Sequence, residues 1–345
     1  MRAPLPRRIT ACLLLVIALA GCSDVRLSTY RRPVPVDEKA RYTVTYDTEA
    51  TAGRAEGRFD VAQLIRPRRK FIGAWLPDVP KTTGPIAKWN KAVGKKANIL
   101  GFYSAFGDRL ERERLENAWE AGALPMISWE PYEAKLADIA AGKYDSYLIQ
   151  YGAALAATDI PTALIFAHEM NGWWFPWNKE PSQDYVAAFR HVHTVFNRLG
   201  ATNVIWVWSP NIDLADSRMK PMASYWPGDS FVDWVAPIGY YVWSGGRKTF
   251  GELFTPTFRQ VRKLTMKPVI LAETAVPEVP EKPAYITELF TNVASRKSIV
   301  GVVWFNYNKE RDWRVQSSAA SLTAFREAVS RNAFGFDPKK PWLRR

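Results

Sequence analysis

From Phe71 onward, short apolar, β-branched or aromatic runs alternate with longer stretches of helical character, and nothing else in the chain restricts the fold as much. Eight runs occur: Phe71–Leu76, Asn98–Tyr103, Leu124–Trp129, Ala163–Ala167, Val204–Trp208, Trp234–Tyr240, Pro268–Ala272 and Val300–Phe305. Helices are expected between them, among others over Leu110–Ala121, Asp184–Leu199, Phe250–Leu264, Ala284–Ser295 and Ala319–Asn332. Gly122, Gly200 and Pro268 punctuate the returns from helix to strand. Eight alternations predict an α/β protein, a closed (β/α)8 TIM barrel, rather than an open doubly wound sheet. No glycine-rich dinucleotide fingerprint follows any run, which also disfavours the open sheet.

The N-terminus has a different character. Arg2, Arg7 and Arg8 precede an apolar run from Ala11 to Ala20 that is too short to span a bilayer. It closes in Leu19-Ala20-Gly21-Cys22, and small residues before a cysteine resemble the lipobox of bacterial lipoproteins. Residues 1–21 are therefore expected to be a lipoprotein signal and Cys22 the lipid anchor; an ordinary signal peptide with an incidental cysteine is the alternative. Ser23 follows Cys22, and the lipoprotein resemblance then implies the bacterial cell envelope, at the outer membrane in a Gram-negative cell. Residues 22–66 are polar and lack sustained apolar periodicity, so they are expected to be a tether, with the catalytic domain spanning 67–345.

With Cys12 lost alongside the signal, a mature chain keeps only Cys22 and can form no internal disulfide, nor a cysteine-based zinc site. Stability must come from a large apolar core. The formal charge of +13 is spread along the chain, with a modest cluster at Arg66–Lys70, and no nucleic-acid motif accompanies it. An ordinary solvated basic surface is expected, with attraction to an anionic envelope or an acidic polysaccharide still open.

Polar and aromatic residues collect at or just beyond the C-terminal ends of the runs: Trp75 and Asp78, Tyr103, Trp129 and Glu130, His168, Glu169 and Asn171, Trp208, Ser209 and Asn211, Tyr240 and Tyr241, Glu273, and Trp304, Asn306 and Lys309. In a β/α barrel those ends form the catalytic face. Glu169 lies just beyond the fourth run and Glu273 just beyond the seventh, and a charge at the end of an apolar strand is costly unless it is paired or used. Glycoside hydrolysis needs two carboxyl groups flanking one bond, one protonated and one ionised. Strands four and seven approach across a barrel mouth, so the two glutamates can reach one substrate. A separation of roughly 5–5.5 Å would give retention of anomeric configuration.

The segments His168-Glu169-Met170-Asn171-Gly172, Ala272-Glu273, and Trp304-Phe305-Asn306 with Lys309–Arg314 resemble glycoside hydrolase family 26, a member of the clan of retaining barrel enzymes. The resemblance spans about residues 70–335. It implies Glu169 as acid/base, Glu273 as nucleophile, and His168 as a substrate contact that helps set protonation. It also implies Tyr240 as the tyrosine on the nucleophile, with the neighbouring Tyr241 as the competing assignment, and Trp304 as a platform under the sugar.

Sugar rings stack their C–H faces on indole, while amides and carboxylates bind hydroxyls. Asn171, Trp174, Trp177, Trp75 and Trp129, with Trp243 beyond, are accordingly expected to line an open cleft, whereas Trp206, Trp119 and Trp89 read as packing. Trp208 sits close enough to a strand end to reach the cleft. No metal or other cofactor is expected: Gly172 stands where a zinc-protease helix needs its second histidine, and His191 and His193 lie two apart in a helical stretch and cannot share a face. The expected activity is retaining, endo-acting hydrolysis of a β-linked polysaccharide, with β-1,4-mannan first by resemblance. Mixed-linkage β-1,3-1,4-glucan, the cell's own exopolysaccharide, and a non-catalytic carbohydrate-binding envelope lipoprotein are the alternatives.

Overall fold

The computed structural model describes residues 61–340. The expected signal, Cys22 and most of the tether lie outside the described residues. Eight parallel strands close in sequence order into one barrel: β1 (Phe71–Trp75), β2 (Ile99–Ala105), β3 (Leu124–Glu130), β4 (Thr162–Phe166), β5 (Val204–Trp208), β6 (Trp234–Val235), β7 (Val269–Thr274) and β8 (Ile299–Phe305), which pairs with β1. The helices are α1 (Ala62–Ile65), α2 (Gly84–Val93), α3 (Arg112–Glu120), α4 (Leu136–Ala140), α5 (Asp145–Ala156), α6 (Ser182–Arg198), α7 (Phe250–Leu264), α8 (Lys282–Ser295) and α9 (Ala319–Ser330).

Nearly every strand residue is buried, because a barrel strand packs on the lumen with one face and on helices with the other. Side chains alternate between these faces, and large aromatics fill the outer one. Trp129 stacks on Tyr151 of α5 with centroids 4.5 Å apart. Phe166 meets Tyr185 and Phe189 of α6. Trp206 packs on Phe189 and Phe196 of the same helix, and Trp304 lies edge-on to Phe325 of α9 at 5.4 Å. Each fully buried side chain of this kind contributes about 1.5–3 kcal/mol relative to an exposed one.

The opposite end of the barrel is closed by Phe71, whose ring meets Trp234 and Phe336 edge-on. Trp234 Nε1 donates to Ile65 O, and Arg66 Nη2 donates to Met266 O, so residues 61–66, expected as part of the tether, pack on the barrel floor. The sixth run, expected to extend to Tyr240, is regular over Trp234–Val235 alone. Pro237 has no N–H to donate to a ladder, yet Ile238 still bridges Asn211 on one side and Glu273 on the other. The irregular stretch thus stays within the barrel wall and delivers Tyr240 to its mouth.

Candidate active site

β4 ends at Phe166, and the chain turns at once through Ala167 and Glu169, both left-handed at φ 49° and 52°. Non-glycine residues are uncommon there and cost about 1–3 kcal/mol when held. Hydrogen bonds from several sides hold this turn. Ala167 N donates to Trp129 O at 3.0 Å, Glu169 N donates to Ser209 O at 2.7 Å, and Asn178 Nδ2 donates to Glu169 O at 2.9 Å.

Each oxygen of the Glu169 carboxyl is engaged. Asn211 Nδ2 donates to Oε1 at 2.5 Å and Trp174 Nε1 donates to Oε2 at 2.6 Å. Asn211 is itself fixed by Asn171, which accepts from its backbone N at 2.8 Å and donates to its carbonyl at 3.0 Å. Gly172 leaves room for Trp174 to fold back: a Cβ there would lie 2.7 Å from the indole.

Across the mouth, Glu273 accepts from Tyr103 Oη at 2.6 Å and from Tyr240 Oη. Tyr241 points away, donating to Glu288 Oε2 of α8 at 3.0 Å, so Tyr240 is the phenol on Glu273. Beneath them Trp75 stacks on Tyr103 at 4.5 Å and donates to Ala272 O at 2.7 Å. It braces both the phenol and the backbone that carries Glu273. His168 is buried, with Nδ1 3.0 Å from Ser128 Oγ and its ring 4.6 Å from that of Phe175.

These environments set protonation. Burial, and then the charge of Glu273, push Glu169 up to about 8 against the hydrogen bonds from Asn211 and Trp174. Burial raises Glu273 also, but two phenol donors and the Lys309 ammonium favour its anion. Near neutral pH one proton therefore sits on Glu169, while Glu273 is the better-served carboxylate. Burial lowers His168 to about 3, leaving it neutral.

The structure brings Glu169, with Trp174 on its carboxyl, within electrostatic reach of Glu273 and its Tyr240, with His168 beside them. Asn171 is 1 % exposed and spends its side chain on the Asn211 backbone, so it supports the site from behind. Trp75 lies inside the barrel below it, 1 % exposed. Trp177 is a wall behind His168, donating to His168 O at 2.8 Å and stacking on Phe175 at 4.4 Å. Trp129 and Trp304 are fully buried on the outer face of the strands, and Trp208 donates to Tyr225 O, so these three indoles pack on helices and loops instead of facing the cleft. Phe305, one residue on from Trp304, faces inward and meets Tyr240 edge-on. His191 Nε2 lies 2.6 Å from Asp145 Oδ1, and His193 packs on Trp206 and Phe231. Tyr103, Asn211 and Glu130 stood in the sequence as rim residues without an assigned part. Strand alternation is the signal that admits Glu130: Trp129 faces out, so Glu130 faces in.

The sequence profile of glycosyl hydrolase family 26 matches residues 127–320, which includes both glutamates. Endoglucanase H of Acetivibrio thermocellus is 32% identical over 273 residues, 75% of this chain and 30% of that protein. Mannan endo-1,4-beta-mannosidase A and B of Caldalkalibacillus mannanilyticus is 34% identical over 83 residues, 21% of this chain and 15% of that one. The chain thus spans less than a third of the length of either relative. A solved modular endo-beta-1,4-mannanase from Cellulomonas fimi superposes with a TM-score of 0.60 at 16% identity, covering 80% of this chain and 73% of that one, a likeness of fold. On the profile match and the long match to endoglucanase H, the chain belongs to glycosyl hydrolase family 26.

Proposed function

We propose that the protein is a retaining, endo-acting glycoside hydrolase that cleaves a β-linked polysaccharide by double displacement, with Glu273 as nucleophile and Glu169 as acid/base. One observation carries this reading: two buried carboxyls at one cleft are served unequally, Glu273 by Tyr103, Tyr240 and Lys309, Glu169 by neutral donors alone. Glu273 attacks the anomeric carbon while Glu169 protonates the leaving oxygen. Forming the glycosyl ester cancels the charge on Glu273 and with it a cause of the raised Glu169 pKa. Glu169, now a carboxylate, takes a proton from the incoming water, and the ester is hydrolysed with net retention. Exposed aromatic surface at Trp243, 42 % exposed, suits an extended polymer held beyond the catalytic pair.

The relative matched over 75% of this chain is named an endoglucanase, and on that ground we place β-glucan ahead of β-1,4-mannan. Attachment to the cell envelope through Cys22 is proposed from the sequence. The test is hydrolysis of mixed-linkage β-glucan, β-1,4-mannan, β-1,3-xylan and the host's exopolysaccharide, with products sized over time. Early release of mid-length oligomers from one polymer is expected. No bond cleavage in any of the four, with binding retained, would instead favour a non-catalytic carbohydrate-binding protein.

A further inference from the structure

A third carboxyl belongs to the cleft and has no part in the double displacement. Glu130 ends β3, is 9 % exposed, and makes no side-chain hydrogen bond among the described residues. Its nearest basic nitrogen is His168 Nδ1, 3.8 Å from Oε1, already beside Ser128 Oγ and on a neutral ring. Strand alternation puts Glu130 on the lumen face with Ser128, and the charges acting on its carboxyl are those of Glu273, Lys309 and Glu169, all at the cleft. Its oxygens are not among the fully enclosed side-chain atoms that lack a partner, so within a largely buried residue the carboxyl keeps an open side, and with the charges of the cleft around it a group of the ligand can meet it there.

We propose that Glu130 is a specificity-determining residue that hydrogen-bonds a hydroxyl of the sugar seated over Glu273. This rests on the glycosidase reading above. An anion would be repelled by the neighbouring Glu273 carboxylate. A cation is already supplied by Lys309, and among the described residues no cluster of three His, Cys, Asp or Glu is placed to hold a metal. A sugar hydroxyl, which donates and accepts at once, matches a carboxyl that burial pushes up to about 8 and keeps largely protonated at neutral pH. A site built to hydrogen-bond a substrate hydroxyl rejects the analogue that lacks it.

The experiment uses aryl β-glycosides of gluco- and manno-disaccharides, each also prepared with one hydroxyl of the sugar next to the aglycone replaced by hydrogen. Glu130→Ala is expected to lose about 10²-fold in kcat/KM on the parent compound. On the analogue lacking the recognised hydroxyl it should lose little more, while wild type falls by a similar factor there; the other analogues should show the same ratio of variant to wild type as the parent. A structural role would lower all of them alike. Should Glu130→Ala fail to fold, Glu130→Leu keeps the space filled and is read in the same way. If every analogue shows one constant ratio, the assignment of Glu130 is overturned and the glycosidase reading stands. If wild type cleaves no β-glycoside, both are overturned.

Discussion

At the scale of single residues, the two glutamates differ by their hydrogen bonds, and the pH profile should report that difference. As the proposed acid, Glu169 must be protonated, so kcat/KM should fall as pH rises through its pKa of about 8. Trp174 Nε1 donates to Glu169 and so favours the ionised form. Trp174→Phe removes that donor, raises the pKa and moves the alkaline limb to higher pH. As the proposed nucleophile, Glu273 must be ionised, so kcat/KM should fall as pH drops through its pKa, which burial raises. Tyr240→Phe removes a donor to the carboxylate, raises that pKa and moves the acid limb upward. A hydrogen bond to a charged group contributes about 1.5–3 kcal/mol, so Tyr240→Phe should also lose about 10–10²-fold at its optimum. Initial rates between pH 4 and 10 on an aryl glycoside would check both, and limbs that stay in place or move downward would contradict the assignments.

At the scale of elements, the inward face of β2 shows how tightly the site is braced. A Cβ on Gly101 would lie 2.4 Å from the Trp75 indole, so the indole can lie flat across β2 only because that residue is glycine. Gly101→Ala should force Trp75 off Tyr103 and the Ala272 carbonyl. It should destabilise the fold by about 1–3 kcal/mol, as overpacking does, and cost activity as well. Urea unfolding and kcat measured on the same preparation test this; a variant with unchanged midpoint and unchanged kcat would show that the brace is dispensable. The eight strands were legible in the sequence because apolar runs and their punctuation reflect local chemistry. Which face a strand-end aromatic takes was less so. Trp129 was expected in the cleft because it ends a strand, and Trp304 as a sugar platform by resemblance, yet each packs outward on helix residues distant in sequence, Tyr151 and Phe325. Glu169 and Glu273 were legible because a carboxylate ending an apolar strand has no cheap structural use. Tyr103 and Asn211 acquire their parts only through partners 170 and 42 residues away, which no local pattern encodes.

At the scale of the whole molecule, the barrel floor begins at Val61–Ile65, so a chain starting near Val61 should fold and act without residues 1–60. Cys22→Ser in the full-length chain should release the enzyme from membranes or block its maturation, with barrel activity intact. Fractionation by immunoblot checks this, and unchanged membrane association and processing would contradict the anchor. The central claim is the division of labour between Glu273 and Glu169, and the product formed with azide tests it most directly. Glu169→Ala can still form the glycosyl ester from an aryl glycoside with a good leaving group, and azide needs no base to open it. Added azide should therefore restore turnover and give the β-glycosyl azide. In Glu273→Ala, azide enters the face vacated by the carboxylate and should give the α-glycosyl azide. Assignment of the anomeric centre by proton NMR decides the matter: β from Glu169→Ala and α from Glu273→Ala is the predicted pattern, and the opposite pattern, or full activity in either variant without azide, would contradict it.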